Sequence, residues 1–123
     1  MMEIEIKAWV EKPQQVEKTL RLQYGNPLPV HKEDIYYTAD DKFPRLNTLR
    51  LRRSGGKWIF TYKDKSIEDG TEINREHETL IESFEVMDEF LKRVGCRYYL
   101  RKKKQGLLFS AGGLSIELVE VES

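Results

Sequence analysis

The sequence predicts an α+β domain whose antiparallel β-sheet closes, or nearly closes, into a barrel flanked by helices. Three observations lead there. Apolar and charged residues alternate with period two in several separate segments, the pattern of a strand with two unlike faces. Only two short segments carry helical spacing, too little to cover every apolar strand face if all the charged faces were simply wet. A sheet curled on itself resolves this, with charged faces lining a bore and apolar faces outside, partly under the helices. The 123 residues support one domain, 1–123, with a core of its own.

In chain order, residues 2–10 place Glu3, Glu5 and Lys7 on one face and Ile4, Ile6 and Ala8 on the other, a first strand. Pro13 suits a first helical position and Val16 and Leu20 recur four apart, so a short helix runs from 13 to about 23 and stops near Gly25. Asn26-Pro27-Leu28-Pro29 breaks regular structure. Ile35, Tyr36 and Tyr37 mark a strand over 30–38, followed by a loop over 39–44. Residues 49–52 alternate and lead through Ser54-Gly55-Gly56 into a strand over 57–63, the composition of a hairpin. A polar loop is expected over 64–70 and a strand over 72–81. Ser83 reads as an N-cap, after which Phe84, Met87, Phe90, Leu91 and Val94 follow helical spacing to a stop at Gly95. Strands over 98–104, 107–110 and 114–121 follow, the last two joined at Gly112-Gly113.

Lys+Arg and Asp+Glu both number 21, so the net charge is zero, which argues against a nucleic-acid coat protein. The charge is nevertheless segregated. Residues 43–63 hold six bases (Arg45, Arg50, Arg52, Arg53, Lys57, Lys63) and no acid, whereas residues 66–89 hold nine acids and one base, Arg75. Cationic and anionic rows that face each other across one interior suit a polyanion escorted by a divalent metal. No stretch approaches the roughly 18 apolar residues of a membrane span, and the N-terminus lacks the layout of a signal peptide, so a cytoplasmic location without membrane contact is expected. One cysteine, Cys96, and two histidines, His31 and His77, exclude a disulfide scaffold and a zinc fold.

Glu3-Ile4-Glu5-Ile6-Lys7 resembles the ExExK signature of the CYTH superfamily, the triphosphate tunnel enzymes that include class IV adenylyl cyclases and thiamine triphosphatases. The order of further motifs strengthens the likeness. Asp34-Ile35-Tyr36 is similar to the family's Asp-x-Tyr strand, Leu49-Arg50-Leu51-Arg52 to its paired-arginine strand, Thr61-Tyr62-Lys63 to its strand ending in Tyr-Lys, and Arg75-Glu76-His77-Glu78 to its Arg-Glu-x-Glu strand. Two departures stand out. The family favours Lys-x-Arg where this chain has Arg101-Lys102-Lys103-Lys104, so Lys102 with Lys104 is the preferred inward pair and Arg101 with Lys103 the alternative. After Ile116-Glu117-Leu118-Val119 the family has a glycine turn and a further acidic strand, so this sheet is expected to lack its C-terminal strand or strands.

The resemblance implies an enzyme that processes triphosphates with Mg²⁺ or Mn²⁺, most closely a class IV adenylyl cyclase making cyclic AMP and pyrophosphate from ATP. A triphosphatase acting on thiamine triphosphate or tripolyphosphate, and a non-catalytic polyphosphate or nucleotide binder, are the alternatives. It assigns Glu3, Glu5 and Glu117 to the metal, with Glu76 and Glu78 as supporting acids. Arg50, Arg52, Lys63, Lys102 and Lys104 would hold the triphosphate, and Lys7 would join them or assist proton transfer. Tyr36 and Tyr62 read as packing residues, Trp58 and Phe60 as outer face under a helix, His77 as surface, and Cys96 as a small buried residue. Exposed edges near 114–121 leave room for a homodimer by strand exchange.

Overall fold

Among the described residues the alternating segments form seven strands in one antiparallel sheet. The computed structural model describes residues 2–39 and 47–123, with side chains from residues 5 and 48 onward in these two spans; the loop expected over 39–44, apart from Ala39, and Arg45 lie outside them. The strands are β1 (Met2–Glu5), β2 (Leu28–Thr38), β3 (Asn47–Ser54), β4 (Lys57–Glu68), β5 (Thr71–Ile81), β6 (Arg97–Ala111) and β7 (Leu114–Glu122), with helices α1 (Pro13–Tyr24) and α2 (Phe84–Arg93). Their order is β1-β5-β4-β3-β2-β6-β7, and β1 and β7 are its two edges.

The sheet is curled but open. In a flat sheet β5 and β6 would stand about 19 Å apart, four strand spacings, too far for charges to act on each other strongly in salt solution. Yet the Lys102 ammonium on β6 is influenced by Glu72 on β5, Lys65 on β4 and Lys7 just beyond β1. Curling has brought the ends of the strand order toward each other around a shared space, without pairing β1 to β7.

Four element boundaries differ from the sequence expectation. β1 ends at Glu5, and residues 6–10 leave the sheet with Ile6 and Trp9 exposed. β2 begins at Leu28 and takes in Pro29, since a proline is tolerated near a strand's start, where one missing donor leaves the rest of the ladder intact. The polar loop expected over 64–70 is instead strand as far as Glu68, closed by a two-residue turn in which Asp69 and Gly70 have φ of 49° and 76°. Both left-handed positions suit a type I′ turn, which lets polar strands pair to their tips. The two strands expected over 98–104 and 107–110 are one, because Gly106 does not break it. A Cβ there would collide with the Leu118 carbonyl oxygen of β7, so glycine permits the close approach of β6 and β7.

α2 supplies the outer core. Ser83 Oγ accepts a hydrogen bond from the Val86 amide at 3.2 Å, an N-cap worth about 1 kcal/mol. Leu91 packs with Ile35, Tyr37 and Leu51, and Trp58, Phe60, Phe84, Met87 and Cys96 pack around them. Trp58 stacks on Phe84 at 4.6 Å between ring centroids, and the Tyr37 hydroxyl donates to Asp88 at 2.6 Å, tethering helix to sheet. α1 is different: Pro13 starts it, no side chain caps it, and none of its residues is buried.

Candidate functional site

Strand register decides which side chains share the inner face. Glu3 pairs with Asn74 and Glu5 with Glu72. Thr61 pairs with Glu78, Lys63 with Glu76 and Lys65 with Asn74. Thr48 lies across from Lys63 and Arg50 from Thr61. Tyr36 faces Arg50 and Asp34 faces Arg52, while Lys102 and Lys104 on β6 neighbour Asp34 and Lys32 on β2. Because side chains directly across a ladder point to the same face, the residues named here from Glu5 onward line one concave surface. The opposite face carries Ile35, Tyr37, Leu51 and the cover of α2.

The basic strands meet on Asp34, which is 1% exposed. Arg52 Nε donates to Asp34 Oδ1 at 2.6 Å and Arg52 Nη2 to Oδ2 at 2.8 Å, a bidentate pair, and the Tyr36 hydroxyl reaches Oδ2 at 3.5 Å. Burial works against the Asp34 carboxylate, but the hydrogen bonds and charge of Arg52, backed by Arg50 and Lys104, outweigh it and hold its pKa below the usual value. Burial likewise opposes the Arg52 guanidinium, and Asp34 reverses this and raises it. Arg50 is 3% exposed; its Nη2 donates to Thr61 Oγ1 at 3.3 Å and lies 3.9 Å from Glu78, while its Nε is buried without a hydrogen-bond partner among the described residues.

Lys102 and Lys104 face inward and are half-buried, and Arg101 and Lys103 face out. Among the described residues no ion pair or hydrogen bond engages either inner ammonium; Lys102 lies over the Tyr36 ring at 5.5 Å. Burial pushes Lys104 down to about 8, with Arg52 and Lys102 adding to the fall and Asp34 and Glu117 resisting it. Lys102 is lowered too, first by burial and then by the charge of Lys7.

Across the bore the acids are matched. Lys63 Nζ lies 2.9 Å from Glu76 Oε1, and Lys65 Nζ 3.1 Å from Glu72 Oε1. Lys7, largely exposed, stands 3.6 Å from Glu72 and 3.9 Å from Glu5. Burial alone would raise Glu72; its hydrogen bonds with Asn74, Glu5 and Lys65 and the charge of Lys7 bring it down to about 2. Asn74 Nδ2 donates to Glu72 at 3.1 Å, and its own Oδ1 is buried without a hydrogen-bond partner among the described residues. Glu5, Glu72 and this oxygen are hard donors of the kind that Mg²⁺ and Mn²⁺ take, and the backbone of Glu3 pairs with that of Asn74. The Glu3 side chain lies outside the described ones. Among the described residues no three acids or histidines gather closely enough to hold a metal by themselves. Glu117, on the other edge strand, pairs with Lys32 at 2.9 Å.

Several inner residues escaped the sequence reading of the site: Asp34, Glu72, Asn74, Lys65 and Lys32. The signal was period two carried further along strands already recognised, Lys32-x-Asp34-x-Tyr36 and Glu72-x-Asn74-x-Glu76-x-Glu78. Lys65 was obscured by the loop expected over 64–70. Of the residues read as bystanders, Tyr36 lies on the inner face, Tyr62 and His77 are exposed outside with ring centroids 6.3 Å apart, and Cys96 is half-buried against the core. No described helix is long and apolar enough to cross a membrane.

A family model described as the CYTH domain matches residues 1–122. A candidate adenylate cyclase of Methanocaldococcus jannaschii is 32% identical over 98 residues, which are 77% of this chain and 56% of that protein, so the chain spans little more than half the relative's length. A conserved hypothetical protein from Pyrococcus furiosus superposes with a TM-score of 0.70 at 27% identity, over 98% of this chain and 71% of that one. A Hippeastrum protein, described as a candidate adenylyl cyclase with a dominant triphosphatase activity, superposes with a TM-score of 0.67 at 16% identity. The alignment covers 97% of this chain and 70% of that one, and the likeness is one of fold alone.

Proposed function

Since this chain belongs to the CYTH domain family, we propose that it is a divalent-metal-dependent enzyme acting on triphosphates, working in the manner of a class IV adenylyl cyclase on ATP. The observation that carries this reading is the pair Lys102 and Lys104, half-buried inside the bore with no described acid bonded to either. A half-buried charge that no acid bonds is costly, and a chain of phosphates entering beside Arg50 and Arg52 would offset that cost.

In this scheme Arg50, Arg52, Lys63, Lys102 and Lys104 bind the phosphate chain. Glu3, Glu5 and Glu117 would hold Mg²⁺ or Mn²⁺, with Glu72 and Asn74 beside Glu5. When bound, the metal supplies neutralisation of phosphate oxygens and orientation of the leaving group. Glu76 and Glu78 support the site by fixing Lys63 and Arg50. The bases align the chain so that the 3′-hydroxyl oxygen of ATP bonds to the α-phosphorus while the bond to the β-phosphate oxygen breaks, releasing pyrophosphate. Lys7, exposed and close to Glu5 and Glu72, would pass the hydroxyl proton on to solvent. The name of the archaeal relative favours cyclisation.

A second reading has specific support. The Hippeastrum protein of the same fold is described with a dominant triphosphatase activity. Here water attacks the terminal phosphorus instead. Offering ATP, thiamine triphosphate and tripolyphosphate with Mg²⁺ or Mn²⁺ separates the readings. Cyclic AMP with pyrophosphate supports cyclisation, orthophosphate supports hydrolysis, and binding without turnover reduces the protein to a polyanion binder. Glu5→Gln should abolish metal-dependent turnover with the fold intact; unchanged turnover would remove Glu5 from the metal set.

A further inference from the structure

Asp34 is the single carboxylate among the described inner positions of β2, β3 and β6, where Lys32, Arg50, Arg52, Lys102 and Lys104 crowd around it. An acid in the middle of a polyanion site is at first sight a contradiction, since it repels the ligand. Its geometry resolves this. It faces Arg52 on one side and Lys102 on the other, and its two oxygens take Nε and Nη2 of Arg52, leaving Nη1 outside the pair. A guanidinium gripped along one edge has its remaining edge fixed in direction, which free rotation about a long side chain would not achieve.

We infer that Asp34 is a positioning residue: resting on the polyanion reading above, it holds Arg52 so that the guanidinium's free edge meets one phosphate of the bound chain. Arg52 is then an oriented donor, whereas Lys102 and Lys104 act as point charges that adapt to the ligand. The depressed pKa of Asp34 fits this part and not that of a general base, because a carboxylate so stabilised in its charged form is a poor proton acceptor.

The two effects of Asp34 predict opposite outcomes for Asp34→Asn. If the acid merely repels the ligand, the neutral variant binds tripolyphosphate more tightly; if it positions Arg52, binding weakens by about tenfold, the value of one charge-assisted hydrogen bond. Calorimetry with inorganic tripolyphosphate and no metal, on wild type, Asp34→Asn, Arg52→Lys and the double variant, reads this. Both single variants should lose about tenfold, and the double variant no more than the weaker single, because each breaks the same pair. In the ligand-free protein, nitrogen-15 spectra should show a protected Arg52 Nε–H resonance, identified by its disappearance in Arg52→Lys, that is also lost in Asp34→Asn. A purely structural role in stability would leave binding at saturating folded protein unchanged. Equal or tighter binding by Asp34→Asn, or additive losses in the double variant, overturns the inference while sparing the polyanion reading. Wild type that binds no triphosphate overturns both. If Asp34→Asn does not fold, Arg52→Lys carries the test alone, and wild-type affinity there is the overturning result.

Discussion

The two sides of the bore treat their lysines in opposite ways. On β4, Lys63 and Lys65 each meet a carboxylate of β5 within about a hydrogen bond's length, at 2.9 and 3.1 Å. On β6, Lys102 and Lys104 are half-buried like Lys65 and meet no carboxylate among the described residues. A protein that needed cations only for solubility would put them outside, as it does Arg101 and Lys103. Matched pairs thus brace the wall of the bore, Lys63 of the proposed phosphate-binding set among them, and the unmatched cations mark where a ligand supplies the negative charge.

That contrast breaks most visibly with Lys102→Gln combined with Lys104→Gln. Removing two charge-assisted hydrogen bonds at once should weaken tripolyphosphate binding by more than about a hundredfold. Calorimetry checks it, and the fold should hold because no described partner is orphaned. Lys63→Gln should act the other way. It leaves Glu76, 4% exposed, as a buried charge deprived of this lysine, and should lower unfolding stability by about 3 kcal/mol in a urea titration.

How much of this could be read in the sequence follows from the same contrast. Alternation reveals faces, so the antiparallel sheet, the hairpin over Ser54–Lys57, the α2 helix with its Ser83 cap and the inward set of bases were legible. Alternation does not reveal partners. Nothing in Lys63 and Lys104 taken singly says that one faces Glu76 and the other no described acid, because pairing depends on register between strands far apart in the chain. The continuity of β4 through residues 64–68 was hidden for a related reason: charged strand positions that face a bore have the same composition as a loop that faces solvent. Gly106 misled in the opposite direction, since a close approach of two backbones and a chain break both ask for glycine. Whether the barrel closes is a property of its edges, and the structure leaves β1 and β7 unpaired with each other.

Titration sharpens the comparison further. Lys104 is charged below about pH 8 and neutral above it. Triphosphate binding should therefore be full near pH 7 and fall as the pH rises through 8, by up to about tenfold per unit while that one proton is coupled. The unliganded protein should do the reverse. A lysine whose folded pKa lies below its ordinary value binds its proton better when unfolded, so stability rises with pH from about 8 toward the ordinary lysine range. Binding and stability moving in the same direction across that window would mean that Lys104 is not the group awaiting an anion.

The smallest effect is expected at the matched end, at Glu72. Its carboxyl is brought down to about 2, so folding gains from its charge above the ordinary glutamate pKa near 4.5, and the gain disappears as the pH falls from there toward 2. The sign is that of a carboxylate with partners, opposite to Lys104. Its size is modest, because Lys7 is largely exposed and water screens that part of the interaction. Glu72→Gln should flatten the acid limb of a stability-versus-pH curve between 4.5 and 2 by less than about 1 kcal/mol and leave the alkaline limb untouched. An acid limb that stays as steep as wild type would assign that stability to other carboxylates, Asp34 among them, and would leave Glu72 free to change partners when a cation arrives.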